Sequence, residues 1–383
     1  MTDWNAMSDA DFRREVCQFF ETEYPEELRN LPHRPKFAEI EHWHRKLHSK
    51  GWVAPAWPAE HGGMGLNAAK LLIFYEEQQR WGVNRGRDMG VQMVGPLIIK
   101  YGAEAQKAYW LPRILSCEDI WCQGYSEPGA GSDLANLRTR AVIDGDNFVI
   151  NGQKIWTTMA HDSTHIFMLV RTDANAPKKQ QGISFLLVPM NQPGIQVRTI
   201  TTLAGETEFC EVFFDDARTP CENLVGELNK GWTMAKSLLS FERVFIGAPN
   251  LAQNALGQLE AFARGYGRFD DPVFCDRFAE VALDVEDHAA LYARFADQLK
   301  RGETLGADVS ILKIWVTETF QKITELMIEA AGPDGGTLGS LQVGNVGVDV
   351  LASFYKARPT TIYGGSNEIQ RNILSKAVLR LPG

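Results

Sequence analysis

The spacing of the apolar residues changes twice along the chain, and this change limits the possible folds more than any other feature. In the first third, apolar residues such as Phe12 and Val16 recur at helical spacing after Ser8, a candidate N-cap. From about Trp121 to Val225 the pattern becomes short β-type runs separated by turn residues. Helical spacing returns from Gly231 onward. The sequence therefore predicts helical, β and helical parts in that order.

Several of the expected elements have clear boundary signals. A helix from Phe37 to Lys50 should stop at Gly51, because glycine is favoured just after a helix. Asp144-Gly145 lies between two β-type runs, which predicts a hairpin. A long helix should start at Gly231 and continue through Leu251, with a kink at Pro249, which lacks an N–H donor. Further helices are expected at about 91–101, 107–115, 273–301, 308–331, 346–357 and 367–380.

The length of 383 residues fits two or three domains better than one. We expect an α+β multidomain fold with an N-terminal helical domain at 1–120, a middle β-barrel domain at 121–228 and a C-terminal helical domain at 229–383. A hydrophobic content of 44% is enough to bury large cores.

Charge and hydropathy argue against several function classes. The formal net charge is −9 and there is no basic run, so we expect no nucleic-acid partner. No segment approaches about 18 uninterrupted apolar residues, so we expect no membrane span, and the polar N-terminus does not look like a signal peptide. The six cysteines are scattered without a CxxC pair, and we expect reduced thiols in a cytoplasmic protein.

The histidines offer a weak metal signal. His44 and His48 lie four residues apart, a spacing that can hold a metal, but no HExxH pattern accompanies them. We expect surface histidines on a helix, His42 included, and no metal site.

Three stretches stand out as candidates for chemistry. Residues 125–133 read Tyr-Ser-Glu-Pro-Gly-Ala-Gly-Ser-Asp, residues 152–158 read Gly-Gln-Lys-Ile-Trp-Thr-Thr, and residues 363–371 read Tyr-Gly-Gly-Ser-Asn-Glu-Ile-Gln-Arg. With these stretches in this order of parts, the chain resembles the acyl-CoA dehydrogenase family across essentially its whole length. Its closest likeness is to the pimeloyl-CoA dehydrogenase large-subunit type.

The resemblance implies both a fold and a reaction. The C-terminal domain is expected to be a four-helix bundle, and the cofactor is expected to be FAD. The reaction is α,β-dehydrogenation of an acyl-CoA thioester, in which a carboxylate takes the α-proton and the β-hydrogen leaves as hydride to the flavin. An electron-transferring flavoprotein is the expected electron acceptor. The family also implies a homotetramer, or a heterotetramer with a sister subunit.

At the position of the proton acceptor this chain departs from the commonest pattern of the family. Many family members carry a glutamate directly after the tyrosine of the C-terminal stretch, and this chain has Gly364 there. The backbone N–H of Gly364 can still hold the thioester oxygen, because a backbone donor needs no side chain. Isovaleryl- and long-chain acyl-CoA dehydrogenases place the base on the first long helix after the β domain, before an arginine. In this chain that position is Glu242, followed by Arg243.

The residues around Glu242 agree with a catalytic role. Leu238, Leu239, Phe245 and Ile246 lie one helical turn away on either side and are all apolar. A carboxylate in an apolar stripe has a raised pKa, as a base near neutral pH requires. Glu242 could instead be structural, paired with Arg243 or with a neighbouring helix. The resemblance favours catalysis.

The resemblance also assigns binding residues. The expected FAD contacts are Tyr125, Ser126, Trp156, Thr158, Arg264, Ser366 and Glu368, with Arg264 reaching the FAD of a neighbouring subunit. The expected substrate contacts are Ser132, Arg243, Gln92, Arg85 and Arg87. Arg85 or Arg87 would meet a distal carboxylate of the acyl group, as in glutaryl-CoA-type relatives. The alternative for these two arginines is a solvated surface loop.

Two other functions stay open at this point. The chain could be a non-catalytic subunit of a heteromeric acyl-CoA dehydrogenase, which would be colourless when purified alone. It could also run another flavin reaction on the same scaffold, as an oxidase or a desulfinase. Oxygen access to the reduced flavin separates an oxidase from a dehydrogenase, and sequence does not show it.

Overall fold

The structure is a computed structural model that describes residues 2–29, 31, 33–83, 89–343 and 346–382, with the side chains of 239–246 and 346 outside the described part. Its contacts divide the chain into two compact units. The first unit contains Met1–Thr201 and Glu206–Leu238, and the second contains Thr202–Gly205 and Leu239–Gly383. The expected domain boundaries near residues 120 and 228 stay predictions.

The N-terminal helices form where local signals predict them. Helix α1 spans Asp9–Glu23, and the side-chain oxygen of Ser8 caps it by accepting a hydrogen bond from the backbone N–H of Asp11 at 3.1 Å. Helix α2 spans Phe37–Lys50 and ends at Gly51, whose φ of 73° is left-handed. The other helical segments of this part are α3 (Ala68–Arg80), a π-helical segment (Met89–Val94), α4 (Gly95–Tyr101) and α5 (Glu104–Ser116).

The β part is a curled sheet of seven strands. They are β1 (Trp121–Gly124), β2 (Arg140–Asp144), β3 (Asn147–Thr158), β4 (His165–Arg171), β5 (Ile183–Pro189), β6 (Ile195–Ile200) and β7 (Phe209–Pro220). The order is β1-β4-β2-β3-β7-β6, and β5 pairs with β4. The predicted hairpin joins β2 to β3, where Gly145 has a φ of 59°.

The sheet and the N-terminal helices share one core. Trp110 and Ile114 of α5 pack with Trp121 of β1 and with Phe167 and Phe185 of the central strands. Strand β1 ends inside this core. The chain that follows it, residues 125–133, therefore begins from a rigidly packed strand.

The second unit is helical, with α6 (Gly231–Ile246) crossing from the first unit. It contains α7 (Asn250–Gly265), α8 (Pro272–Lys300), α9 (Ser310–Ala331), α10 (Val350–Ala357) and α11 (Asn367–Ile373), followed by a π-helical segment (Leu374–Val378). Buried residues of α7, α8 and α9, such as Leu259, Val285 and Ile323, form its core. This packing agrees with the expected C-terminal bundle.

Two local expectations were wrong. The predicted long helix through Leu251 is two helices, α6 and α7, since Pro249 caps the start of a new helix instead of kinking one. The predicted helix from residue 346 begins only at Val350, because β8 (Leu341–Val343) and β9 (Val346–Val348) pair as a short hairpin. The predicted helix 367–380 is present as α11 to Ile373 and then as the π-helical segment to Val378.

His44 is buried, contrary to the expectation of a surface histidine. Its Nε2 lies 2.8 Å from the carbonyl oxygen of Leu115, and burial lowers its pKa. The side chain is on the inner face of α2 beside the buried Trp43, so tertiary packing and not the i,i+4 spacing decides its surroundings. His42 and His48 are exposed.

All six cysteines are free thiols. Within the described residues, no helix is both long and apolar enough to cross a membrane.

Candidate active site

The first unit brings the predicted flavin strand and its neighbour together. The backbone N–H of Ile155 in β3 donates to the carbonyl oxygen of Ser126 at 2.9 Å. Tyr125 is buried and Ser126 is half-buried. The chain that leaves β1 therefore lies directly beside the 152–158 stretch, so two separate motifs form one surface.

Trp156 is the most unusual residue of this surface. Its φ is 61°, a left-handed value that is rare for a bulky side chain, and it lies at an irregularity in the β3–β7 pairing between Lys154 and Thr157. Its side chain is 57% exposed, with one ring-edge contact to Phe209 at 6.1 Å between centroids. A strained backbone that holds an indole outward is typical of a ligand-binding position.

Thr158 is two residues further along the same strand. It pairs with Phe209 of β7 and is half-buried. Trp156 and Thr158 therefore lie at one end of β3. This end presents an exposed indole beside a hydroxyl side chain, and the face of an exposed aromatic ring can stack on a flat aromatic ligand.

A buried ion pair lies under this surface, and the sequence reasoning missed it. Lys154 has no exposed surface, and its Nζ donates to the carbonyl oxygen of Tyr125 at 3.1 Å and to Oε1 of Glu127 at 2.8 Å. Glu127 also accepts backbone hydrogen bonds from Arg138 at 2.6 Å and Thr139 at 2.9 Å. The sequence did contain a sign of this burial. Lys154 lies an even number of residues after the buried Phe148 and Ile150, and such residues face the same side of a strand.

Each charge of this pair offsets part of the free-energy cost of burying the other. Burial lowers the pKa of Lys154 to about 8, although the Glu127 charge raises it. For Glu127, burial alone raises the pKa, but Lys154 and the Thr139 and Arg138 donors lower it overall. Both groups are therefore charged at neutral pH.

The predicted substrate contacts of the first unit lie in different surroundings. Ser132 is exposed in the loop between β1 and β2. Gln92 lies in the π-helical segment, where the indole Nε1 of Trp57 donates to the carbonyl oxygen of Val91 at 2.7 Å. A π-helical segment is common at functional sites, because it re-aims side chains inside a helix. Arg85 and Arg87 lie outside the described residues.

The second unit contains the C-terminal signature. Gly364 and Gly365 have φ values of 63° and 81°, which glycine adopts without strain. The side-chain amide of Gln370 reaches back to the carbonyl oxygen of Gly364 at 3.2 Å. Ser366 caps α11 by accepting from the backbone N–H of Ile369 at 3.4 Å. The tight turn therefore has one defined backbone conformation.

Glu368 lies in the first turn of α11 and is exposed. Its own backbone N–H, followed by the hydroxyl of Ser366, lowers the pKa of its carboxyl. A negative charge at a helix N-terminus is favourable. Glu368 is therefore ionised and accessible, as an adenosine-binding carboxylate requires.

A buried polar network joins the signature to α9. Nζ of Lys313 donates to Oδ1 of Asn367 at 2.8 Å, and Nδ2 of Asn367 donates to Oγ1 of Thr317 at 3.1 Å and to Oε1 of Glu318 at 3.0 Å. Lys313, Thr317 and Asn367 are almost fully buried. Burial lowers the pKa of Lys313 to about 8. This network holds the start of α11, and the pattern of the sequence did not reveal it.

Three other predicted residues lie on the helices after the β part. Glu242 and Arg243 are on α6, but their side chains lie outside the described part of the chain. Arg264 lies near the end of α7, with its side chain 66% exposed and paired with Glu260 at 2.6 Å. Its guanidinium group is therefore largely open to solvent.

Three family models match the chain and together cover most of it. They are the acyl-CoA dehydrogenase N-terminal domain at residues 8–118, the middle domain at 122–217 and the C-terminal domain at 229–379.

Curated relatives agree with these matches. Acyl-CoA dehydrogenase IpdE1 of Mycobacterium tuberculosis is 39% identical over 353 residues, which cover 90% of this chain and 89% of that protein. The human mitochondrial short-chain specific acyl-CoA dehydrogenase is 30% identical, with 88% of this chain and 82% of that protein covered.

Solved structures agree as well. One described as the Tcur3481-Tcur3483 steroid ACAD has a TM-score of 0.86 and 30% identity, covering 98% of this chain and 97% of that one. The ChsE4-ChsE5 complex from Mycobacterium tuberculosis has a TM-score of 0.81 and 31% identity, covering 98% of each chain.

Proposed function

The chain belongs to the acyl-CoA dehydrogenase family, and from that premise we propose that it binds FAD and converts an acyl-CoA thioester to the 2-enoyl-CoA. The family membership makes it an oxidoreductase. The observation that best supports FAD is Trp156, an exposed indole held outward by a left-handed backbone beside the Tyr125–Ser126 segment that follows β1.

The residues that would hold FAD follow from the two units. In the first unit, Tyr125, Ser126, Trp156 and Thr158 form one end of the β3 surface, and this end would take the isoalloxazine ring. Taken by itself, the second unit offers Ser366 and Glu368 as the proposed contacts for the adenosine end of an FAD molecule. The cofactor supplies a hydride acceptor for the substrate's β-hydrogen. Arg264, exposed on α7, would contact the FAD of a neighbouring subunit.

We assign the proton chemistry to two positions of this chain. Glu242 on α6 takes the α-proton, which is weakly acidic and needs a desolvated, aligned base. The backbone N–H of Gly364 donates to the thioester oxygen and stabilises the charge that develops there. The left-handed turn at Gly364 suits this role, because the donor comes from the main chain and leaves the space of a side chain empty.

That empty space supports a proposal on substrate class. Members of the family with a glutamate at this position carry a side chain there, and this chain, with Gly364, carries none. Two related structures are described as a steroid ACAD, at 30% identity. We therefore place ring-bearing, steroid-like thioesters first among the substrates. Ser132, Gln92 and Arg243 are the proposed contacts of the CoA and acyl groups.

The partners of this reaction are part of the same proposal. An electron-transferring flavoprotein would take the electrons. The chain would work as a tetramer, either of identical subunits or with a sister chain, as the family resemblance implies. A sister chain is supported by the related structure described as the ChsE4-ChsE5 complex. A cytoplasmic location stays a prediction.

The test is anaerobic reduction of the purified yellow protein by a panel of thioesters: straight, branched, steroid-like and dicarboxylic. Loss of the visible flavin absorbance with at least one thioester is the expected result. A protein that is colourless, and that takes up no added FAD, would instead be a non-catalytic subunit. Rapid reoxidation by air alone would indicate an oxidase.

A further inference from the structure

The buried pair of Lys154 and Glu127 has a cost that packing alone does not explain. Apolar residues of similar volume often replace a buried ion pair without loss of stability. This pair is nevertheless built completely, with both carboxylate oxygens and the ammonium group engaged. We therefore look for the role of this pair in the geometry of the groups that it connects.

The pair joins three backbone segments. Lys154 belongs to β3, Glu127 follows the Tyr125–Ser126 segment, and the donors Arg138 and Thr139 precede β2. The hydroxyl of Thr139 also donates to the carbonyl oxygen of Gln153 at 3.1 Å, one residue before Lys154. Rotation of any one of these segments would therefore break charged hydrogen bonds that link the segments to one another.

The contact of Lys154 with Tyr125 sets the direction of one peptide group. The Nζ of Lys154 binds the carbonyl oxygen of Tyr125, and a trans peptide is planar, with its C=O and N–H on opposite sides. The N–H of Ser126 therefore points away from Lys154. The next carbonyl, that of Ser126, is held by the N–H of Ile155. Both peptide groups around Ser126 thus have one orientation.

The same lysine lies two residues before Trp156. The left-handed backbone at Trp156 costs energy and persists only where its surroundings determine it. On one side of Trp156, Lys154 is anchored through its side chain and Ile155 through its backbone. The pair therefore also fixes the start of the irregularity that turns the indole outward.

We propose that Lys154 and Glu127 are positioning residues for the flavin, which hold the Ser126 N–H and the Trp156 indole in the arrangement that receives the isoalloxazine ring. This inference rests on the proposed FAD site. Both side chains are buried, so in this proposal neither contacts substrate or cofactor directly. The pair acts through Tyr125, Ser126 and Trp156.

The experiment compares Lys154→Met with a matched variant, Lys70→Met, in the full-length protein. Lys70 is also buried, at 3% exposed, and it pairs with Asp9 at 2.6 Å in the same unit, on α3. The measurements are the Kd of FAD by ultrafiltration, the visible circular dichroism of bound FAD, and urea unfolding of the apoprotein.

We expect Lys154→Met to raise the FAD Kd at least tenfold and to change the flavin dichroism. Lys70→Met should lower apoprotein stability but leave the FAD Kd within twofold of wild type. A Lys154→Met protein with wild-type Kd and dichroism would overturn the positioning role. Wild-type protein that binds no FAD would overturn the proposed function together with this inference.

A double variant keeps the proposal testable if Lys154→Met does not fold. Lys154→Met combined with Glu127→Leu removes both charges, so the apoprotein should recover stability. If the pair only stabilised the fold, FAD affinity would recover as well. We expect the Kd to stay at least tenfold above wild type, and a return to the wild-type value would refute the proposal.

Discussion

Replacing Trp156 with alanine tests the flavin surface most directly. The side chain is 57% exposed, and an aromatic side chain of this size contributes up to about 250 Å² of surface. Roughly 140 Å² is then open to a ligand, and at about 25 cal/mol per Å² complete coverage is equivalent to about 3.5 kcal/mol. A ring stacked on one face covers roughly half to two thirds of that area, which leaves about 2 kcal/mol.

The expected result is a rise of roughly 30-fold in the FAD Kd of Trp156→Ala, since about 1.4 kcal/mol corresponds to a factor of ten. The assay is equilibrium ultrafiltration of apoprotein with FAD. Tyr109→Ala is the matched control, because Tyr109 on α5 is 55% exposed but lies outside all the proposed contacts. A Trp156→Ala protein whose Kd stays within threefold of the control would refute the assignment of this surface.

A glycine variant at the same position distinguishes the effect of the indole on FAD affinity from the cost of the strained backbone. Trp156→Gly and Trp156→Ala both remove the indole, so both should weaken FAD binding similarly. Only glycine accepts the φ of 61° without steric cost, so Trp156→Gly apoprotein should be about 1 kcal/mol more stable in urea than Trp156→Ala. Greater stability of the alanine variant would contradict the left-handed backbone.

Three further predictions concern the base, the signature turn and pH. Glu242→Gln should keep its yellow colour but slow anaerobic flavin reduction by about 100-fold or more, as expected for loss of a general base; stopped-flow rates near wild type would exclude Glu242 from that role. Gly364→Ala should lower the free energy of unfolding by about 1 kcal/mol, because the φ of 63° disfavours a Cβ; an unchanged urea midpoint would argue against this turn. Folding lowers the pKa of Lys154 from 10.5 to about 8, so between those two pH values the unfolded chain binds more protons than the folded protein. The free-energy cost of burying this amine therefore falls as the pH rises through that window. The free energy of unfolding should therefore rise more steeply with pH in wild type than in Lys154→Met, by up to about 1.4 kcal/mol per pH unit, and parallel urea profiles would contradict the shift.

Elements with local signals were predictable from the sequence. Ser8 caps α1, Gly51 ends α2 and Gly145 closes the β2–β3 hairpin, as expected. In each case the signal acts between residues a few positions apart, through a cap or a preferred φ. Ser366 also caps its helix, α11, through a local hydrogen bond, although the family resemblance assigned it only to cofactor binding.

Contacts between distant residues were not predictable in this way. Lys154 and Glu127 are 27 positions apart, and His44 meets the carbonyl oxygen of Leu115 across 71 positions. From spacing alone, His44 was predicted to lie at the surface, and no role was predicted for Lys154. Whether such a side chain is buried depends on which surfaces the folded chain brings together.

The family, the order of helical and β parts and the motifs that indicate FAD could all be read from the sequence, because they depend on residue types at short spacing. The outward position of Trp156, on a left-handed backbone above a buried lysine–glutamate pair, became visible in the folded chain. Local preference opposes that conformation, and it persists because sheet pairing and charged hydrogen bonds from distant segments hold it.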